Sequence, residues 1–339
     1  MSVNRQFRLA AVPKGMPKES DFCIAEGPAP TPGTGEVLLR TAFWSVDPYM
    51  RGRISGVRTY ADPVLVGDLM VGGTVGHVVQ SNDETLKPGD FVAGYWGWQE
   101  WAVSKTRGLQ KLDPSVAPVS TALGILGMPG MTAYFGLLDI CAPKPGETVV
   151  VSGAAGAVGS YVCQIAKIKG GRVIGTAGTD AKIDYLKKDL GLDGAFSYKT
   201  TTDYTAKLKE LCPGGIDCYF DNTGGPISDA VFPLLNTFAR VSVCGQISHY
   251  NAAGPELGPR LLGLILVKQA RVEGFIVTRF VDRFPEGVAQ MGQWLKEGRL
   301  RYREDIMRGF EALPKALVGV LEGANTGKML VQADWMPTG

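Results

Sequence analysis

Residues 146–160, Gly146-Glu-Thr-Val-Val-Val-Ser-Gly-Ala-Ala-Gly-Ala-Val-Gly-Ser160, decide how this chain folds. The β-branched run Val149 to Val151 reads as a buried strand. The glycines after it make a tight turn, and Val158, Val162, Ile165 and Ala166 recur at helical spacing until Gly170-Gly171 ends the helix. The turn is spelled Gly153-x-x-Gly156-x-x-Gly159, with Ala155 in the place of the middle glycine of the stricter G-x-G-x-x-G spacing. Such a corner lets the backbone approach a pyrophosphate closely, while the N–H groups and dipole of the helix N-terminus attract the anion. A glycine triplet alone suits an ordinary turn equally well; the strand before it and the helix after it predict a dinucleotide site.

Downstream, the alternation continues. Strands are predicted over 172–176, 195–198, 216–221, 239–244 and 271–277, with helices over 180–190, 203–212 and 227–235. Six strands with intervening helices predict an α/β fold, a doubly wound Rossmann parallel sheet whose ligand lies at the carboxyl ends of the strands. Upstream, short runs over 36–42, 70–79 and 91–103, separated by Pro and Gly turns, predict a β-rich domain, a partly open barrel. After an amphipathic helix over 284–297, the tail from Leu300 resumes strand, helix and strand and is expected to rejoin that domain. The expected division is 1–124 with 300–339 as the substrate domain and 125–299 as the dinucleotide-binding domain. Lys87-Pro-Gly-Asp90 and Lys144-Pro-Gly-Glu147 are the same turn chemistry used twice, not a repeat.

The 339 residues are 45% hydrophobic and 20% charged with a net charge of +2, so two globular cores are expected and no basic footprint for nucleic acid is present. A small molecule is the expected partner. The start, Met1-Ser-Val-Asn-Arg-Gln-Phe-Arg-Leu-Ala10, lacks the apolar core of a secretory signal, and the apolar run near 261–267 is too short to cross a bilayer, so a cytoplasmic protein is expected. Cys23, Cys141, Cys163, Cys212, Cys218 and Cys244 are scattered without a C-x-x-C pair, which argues for reduced thiols and against a structural zinc site.

Several strings together resemble the zinc-independent branch of the medium-chain dehydrogenase/reductase superfamily that holds leukotriene B4 dehydrogenase, prostaglandin reductase and alkenal double-bond reductase. They are Ser45-Val-Asp-Pro-Tyr-Met-Arg51, Leu126-Gly-Met-Pro-Gly-Met-Thr-Ala-Tyr134, Ala154-Ala-Gly-Ala-Val-Gly159, Cys244-Gly-Gln-Ile-Ser-His-Tyr-Asn251 and Asn325-Thr-Gly-Lys328. Gly94-Tyr-Trp-Gly-Trp-Gln99 and Asp229-Ala-Val-Phe-Pro-Leu-Leu-Asn236 look most like the bacterial curcumin reductases of that branch. The resemblance implies a GroES-like β domain and a homodimer. Where zinc-binding relatives carry a cysteine and a Gly-His-Glu motif, this chain has Asp47-Pro48-Tyr49 and Gly72-Gly73-Thr74, so no metal is expected; His77 is read as a packing or capping histidine.

An NAD site places an acid about 20 residues past the glycine turn to grip the ribose 2′-hydroxyl. Here the chain reads Gly175-Thr-Ala-Gly178, and the nearest acid, Asp180, is read as the N-cap of the next helix. The resemblance assigns the 2′-phosphate of NADP(H) to Lys182 and Tyr198 beside Gly178; on its residues alone Lys182 is equally a solvated helix-face lysine. It adds Asn325 on the phosphate side, otherwise a turn residue, and Met128 and Thr132 at the cofactor. Gly153, Ala155, Gly156, Val158 and Gly159 form the corner itself. Asn222, Cys244 and Gly245 are candidates for the nicotinamide edge, as are Phe275 and Val277 through their backbone at the end of the sixth strand.

The resemblance implies NADPH-dependent reduction of the C=C bond of α,β-unsaturated ketones and aldehydes, which needs a donor for the carbonyl oxygen that becomes an enolate. Tyr250, just after the fifth strand, is the first candidate, with a loop-packed tyrosine as its alternative. Tyr49 and Tyr60 are candidate substrate-side donors. Tyr95, Trp96, Trp98, Met128 and Met131 would furnish an apolar wall for a flat hydrophobic substrate, or be core. His249 is read as a rim residue, and Arg51 as a partner for a substrate carboxylate or for a salt bridge. Quinone reduction, or nucleotide binding without catalysis, are the alternatives.

Overall fold

The computed structural model describes residues 2–252, 254 and 256–337. The chain divides into two compact units, Met1–Gly124 with Glu304–Asn325 and Met329–Gly339, and Ile125–Arg303 with Thr326–Lys328.

The first unit opens on an antiparallel pair, β1 (Val3–Leu9) and β2 (Phe22–Pro28), which the sequence reading passed over. β3 (Glu36–Ser45) is its long central strand, and a short helix, α1 (Tyr49–Arg53), follows. β4 (Thr74–Ser81), β5 (Phe91–Gly94), β6 (Trp101–Lys105) and β7 (Gln110–Leu112) complete the N-terminal part. The run expected as one strand over 91–103 is therefore two. Between them Gly97 has φ +77°, and a Cβ there would lie 2.5 Å from the Met70 carbonyl oxygen, so the chain turns on a glycine.

The second unit begins with α2 (Met128–Phe135) and a π-helical extension over Gly136–Cys141. β8 (Thr148–Val151) then runs into α3 (Ala157–Ile168), as the opening stretch predicts. β9 (Arg172–Ala177), α4 (Asp180–Asp184), β10 (Gly194–Ser197), α5 (Tyr204–Leu211), β11 (Ile216–Asp221), α6 (Gly225–Val231) and β12 (Leu235–Val243) follow. α7 (Leu262–Lys268), β13 (Arg271–Gly274) and α8 (Phe284–Lys296) close the series. The strands lie in the order β10-β9-β8-β11-β12-β13 with parallel pairing throughout. Burial on both faces explains the continuous valine run: Val149 and Val151 pack with Tyr161, Val162 and Ile165, whereas Val150 packs with Ile174, Phe196 and Leu208.

Two of the boundaries that differ from expectation bear on the candidate site. α4 is capped by Thr179, whose Oγ1 accepts from the Lys182 N–H at 3.4 Å, and Asp180 is a first-turn residue rather than the cap. The sixth strand stops at Gly274, so Phe275 and Val277 lie beyond it.

The tail supplies β14 (Glu304–Arg308), α9 (Leu313–Glu322) and β15 (Lys328–Gln332). β15 pairs antiparallel with β3, giving a seven-stranded sheet of order β14-β15-β3-β4-β5-β7 in which β6 also pairs with β3. Trp44, Met50, Trp98, Phe310 and Leu317 share one of its buried clusters.

Candidate active site

The glycine corner of the second unit is built as its sequence requires. Gly153 has φ +59°, a left-handed conformation that a side chain disfavours. Gly159 packs so tightly on the turn that a Cβ would come 2.3 Å from the Gly153 carbonyl oxygen and 2.8 Å from the Ala154 Cα. Gly156, the N-cap of α3, has no side chain to close off the first N–H groups at Ala157, Val158 and Gly159, which have no carbonyl of their own helix to bond. Buried Ala155 turns its carbonyl away, accepting from the Gly327 N–H at 2.8 Å. Gly327, at φ +75°, sits where a Cβ would be 2.1 Å from the Arg303 carbonyl oxygen, so the Thr326–Lys328 segment that follows Asn325 is laid on the corner by a glycine only. This cradle of main-chain donors fits a pyrophosphate.

At the end of β9 the same principle recurs. Gly178 is buried, and a Cβ on it would meet the Tyr198 hydroxyl at 2.7 Å and the Lys199 Cε at 3.4 Å. Tyr198, whose phenol is raised in pKa by burial, is anchored from behind by the Tyr204 hydroxyl donating to its carbonyl at 2.7 Å. Lys182 lies in the first turn of α4 and is nearly buried, which disfavours the solvated-lysine alternative. The acid a ribose diol would need is missing from β9, since Asp180 is exposed. These residues suit a phosphorylated ribose better than a free one.

The opposite edge is organised by β11 and β12. Asn222 donates its side-chain amide to the Ser152 carbonyl at 2.7 Å and its backbone N–H to the Ser152 Oγ at 2.9 Å. The N–H groups of Cys244 and Gly245 both donate to the Asp221 carbonyl, at 2.9 and 3.1 Å. Tyr250 is half-buried, and its phenolic oxygen accepts from the Gln246 N–H at 3.5 Å while lying 3.4 Å from where a Gly245 Cβ would be. Burial raises its pKa; the Gln246 N–H acts the other way and is outweighed. A phenol held by its oxygen keeps its proton to give away. His249 Nδ1 faces Glu256 at 3.1 Å, on the outer side of this turn.

The side chains of other predicted residues of this unit pack within it. Phe275 is buried against Phe220 and Phe280, and Gly136 makes way for it: a Cβ there would meet its ring at 2.4 Å. Its side chain is core, as is that of Met131, which is fully buried and packed beneath Gly287 of α8. Val277 is half-buried on the same core. Thr132 is buried and donates to the Met128 carbonyl at 2.8 Å, within α2.

In the first unit, the Tyr49 hydroxyl pairs with the Tyr95 hydroxyl at 2.7 Å. Burial first, then the charge of Tyr95 and Asp47, push the Tyr49 phenol well above its ordinary pKa. Tyr60 is exposed and close enough to act electrostatically on both tyrosines. Tyr95 is thus a polar residue here, where the sequence suggested only an apolar wall. It borders a cleft of about 400 Å³ with Leu69, Met70, Gly72 and Trp96. Trp96 and Trp98 are buried core: Trp96 Nε1 donates to Thr41 Oγ1 at 2.8 Å, and Trp98 lies beneath Gly72. Arg51 is also buried, its guanidinium donating to the Gly15 carbonyl at 3.0 Å and, weakly, to that of Pro13 at 3.4 Å; it secures a loop and is not available to a substrate carboxylate. His77 packs between Phe91 and Trp335. Asp47 accepts from Ser45, and Thr74 donates to the Gly94 carbonyl at 3.1 Å. Among the described residues no group of three or more His, Cys, Asp or Glu side chains could hold a metal ion.

Comparison with known proteins decides the family. Residues 5–112 match the N-terminal domain of oxidoreductases, and residues 157–294 match the zinc-binding dehydrogenase domain. The chain is 46% identical over 334 residues to the NADPH-dependent curcumin reductase of Escherichia coli, covering 97% of this chain and 96% of that one. The chain belongs to the double-bond reductase branch of the medium-chain dehydrogenase/reductases. Prostaglandin reductase 1 of Rattus norvegicus is 46% identical over 324 residues, 94% of this chain and 96% of its own. The crystal structure of CurA from Vibrio vulnificus in complex with NADPH superposes with a TM-score of 0.94 at 45% identity, over 98% of this chain and all of that chain.

Sequence reasoning missed Asp221 and Gln246. The signal was present: an aspartate closing a buried strand must find donors at the strand's carboxyl end.

Proposed function

We propose that this protein reduces the C=C bond of α,β-unsaturated ketones and aldehydes with NADPH and without a metal, flat aromatic enones such as curcumin being suitable substrates. The observation that carries the reading is the Tyr250 phenol, held by its oxygen at the carboxyl edge of β12 in a family whose NADPH-bound relative covers 98% of the chain. Bound NADPH supplies the hydride that goes to the β-carbon. The glycine corner binds and orients its pyrophosphate, and Lys182, Tyr198 and the space at Gly178 select the 2′-phosphate. Asn325 is a further phosphate-side contact, and Met128 and Thr132 are further cofactor-binding residues. Asn222, Cys244 and Gly245 border the nicotinamide together with the backbone of Phe275 and Val277. Tyr250 donates to the carbonyl oxygen as negative charge develops there, an interaction worth most where water is scarce, and the enolate so formed takes a proton from solvent at the α-carbon, which completes reduction of the C=C bond. Tyr49 and Tyr60 serve as substrate-side donors, Tyr49 with its hydroxyl set by Tyr95. In this reading 1–124 with 300–339 is the substrate domain.

Metal independence is supported by the residues standing where ligands would be, Asp47 with Ser45 and Thr74 with Gly94, each already engaged. A cytoplasmic location fits six free cysteines, with Cys141, Cys163, Cys212 and Cys218 buried. No helix among the described residues is long and apolar enough to cross a membrane. A homodimer is part of the same reading, supported by the exposed Leu262, Leu266 and Val267 of α7, the helix that leads into the edge strand β13.

The test is consumption of NADPH against enones, enals and quinones by wild type and Tyr250→Phe. Enone reduction is expected to fall by roughly tenfold to a hundredfold in kcat while quinone reduction, which needs no placed proton donor, changes little. Equal small effects on both substrates, or turnover abolished by chelators, would overturn the reading.

A further inference from the structure

The end of β11 buries a carboxylate to which the proposed chemistry assigns no task. Asp221 is 2% exposed. Its Oδ1 accepts from Ser152 Oγ at 3.0 Å, the Tyr219 hydroxyl at 2.9 Å, and the N–H groups of Thr223 and Gly224 at 3.0 and 2.8 Å. Its Oδ2 accepts from Ser228 Oγ at 2.7 Å and from Gln246 Nε2 at 3.2 Å. Every donor but the last belongs to the ends of β8 and β11 or to the turn and helix that follow β11, so these fix the carboxylate in place. Among the described residues, Gln246 is the one side chain of the Tyr250 loop that donates to this carboxylate.

Gln246 is pinned at each end. Its side-chain amide donates to Asp221 and to the Gly245 carbonyl at 2.9 Å, and its main-chain N–H donates to the Tyr250 phenolic oxygen at 3.5 Å. Its Oε1 rests over Gly224, where a Cβ would intrude to 2.0 Å. Ser248 extends the docking, its Oγ and N–H donating to the Thr223 carbonyl at 2.6 and 3.0 Å. Because the Asp221 Oδ2 and the Gly245 carbonyl both accept from the same nitrogen, they fix which way round the Gln246 amide lies.

We propose that Asp221 and Gln246 are positioning residues for Tyr250: the buried carboxylate orients the Gln246 side chain, which sets the 246–250 turn so that the Gln246 N–H meets the phenolic oxygen and the phenolic proton faces the reacting carbonyl. The inference rests on the Tyr250 reading given above.

The chemistry of the pair supplies a discriminating variant. In Gln246→Glu an acceptor replaces the donor at neutral pH, and two carboxylates at hydrogen-bond distance cannot both stay ionised without being driven apart. At lower pH the pair takes up a proton, and the protonated Glu side chain can again donate to Asp221. The ionisable groups in contact with Gln246 are Asp221 of β11 and Tyr250 of its own segment; around them, Tyr219 of β11 donates to Asp221, Cys244 acts on Asp221 and Tyr250, and Asp229 of α6 and Glu256 act on His249 of the same turn. Gln246→Leu shares all of these and cannot donate at any pH, so it separates the new pair from His249.

The experiment measures kcat for enone reduction between pH 6 and pH 8 in wild type, Gln246→Glu, Gln246→Leu and Tyr250→Phe. NADPH affinity by fluorescence and hydrogen exchange of the 245–250 segment, corrected for intrinsic rates, accompany it. At pH 8 both Gln246 variants are expected to lose about tenfold in kcat with NADPH affinity within about threefold, and to exchange faster than wild type in that segment. At pH 6 Gln246→Glu is expected to recover to within about threefold of wild type and to regain protection, whereas Gln246→Leu does neither. Wild-type kcat and exchange in the Gln246 variants at pH 8, or a Gln246→Glu profile as flat as that of Gln246→Leu, would overturn the inference. A Tyr250→Phe enzyme with wild-type kcat would instead overturn the Tyr250 reading, in which case the exchange data alone decide whether the pair sets the turn.

Discussion

Burial sets the working protonation state of Tyr250. Its pocket raises the phenol above the ordinary tyrosine range, the low-dielectric surroundings outweighing the Gln246 N–H that stabilises the charged form. A residue acting as a proton donor must be protonated, so a raised pKa moves the loss of activity to higher pH. The kcat/KM for an enone is therefore expected to stay level through neutral and mildly alkaline pH and to lose this group's contribution only above the ordinary tyrosine range, checked by a steady-state pH profile. A descending limb between pH 7 and pH 8 that Tyr250→Phe removes would contradict this. At the other end of the site, Lys182 offers a nearly buried cation where β9 lacks an acid. Lys182→Ala is expected to reduce the NADPH over NADH preference in kcat/KM by roughly thirtyfold, the loss of about 2 kcal/mol for a charged hydrogen bond, with little change for NADH. The chemical types of both residues were legible in the sequence. That Tyr250 is held through Gln246 was not, because a hydrogen bond between a backbone N–H and a side chain four residues on leaves no pattern. Arg51 misled for a related reason: only the fold shows that its guanidinium is used by main-chain carbonyls of Pro13 and Gly15.

Among the elements, the strand-turn-helix of β8 and α3 was the most legible, since a strand buried on both faces must be apolar throughout and its helix must repeat at 3.6 residues. The β-rich unit was less so. β1 carries three polar residues in a row, Asn4 to Gln6, and β2 runs Phe22-Cys-Ile-Ala25 before Glu-Gly-Pro, so neither shows a strand's period of two, and the aromatic run 95–98 resembles a strand although Gly97 turns it into a loop. Close approach at Gly159 gives a prediction at this scale. In Gly159→Ala the new methyl would meet the Gly153 carbonyl oxygen at 2.3 Å, backbone against backbone, so α3 must move off the corner. The expected cost is about 1–3 kcal/mol of stability, with NADPH binding weakened more than tenfold, read by thermal melting and fluorescence titration. Gly292→Ala in α8, where a Cβ meets nothing within 4 Å, is the matched control and is expected to stabilise by about 0.5–1 kcal/mol.

At the scale of the whole molecule, the parallel sheet ends on β13, which among the described residues is paired on one side only, with β12. Unpaired edges are usually blunted by short strands, charges or a covering segment, and β13 is short, with Arg271 and Glu273 in it. Its neighbour α7 does the opposite. One side of it packs on the core through Leu264 and Ile265, while Leu262, Leu266 and Val267 are 81%, 76% and 68% exposed. A helix apolar on both sides has a second burial to make. The β13 edge that follows it in the chain can pair antiparallel with its own copy about a two-fold axis, which offers α7 a second copy to pack on. The expected mass in solution is about twice 36.2 kDa by light scattering at micromolar concentration. Because Leu266 and Val272 both contact solvent in the single chain, Leu266→Glu with Val272→Lys is expected to halve that mass while leaving thermal stability within about 1 kcal/mol after allowance for lost association. A wild-type chain that is monomeric at that concentration, or a variant that remains a dimer, would show that this face is not the one that closes the assembly.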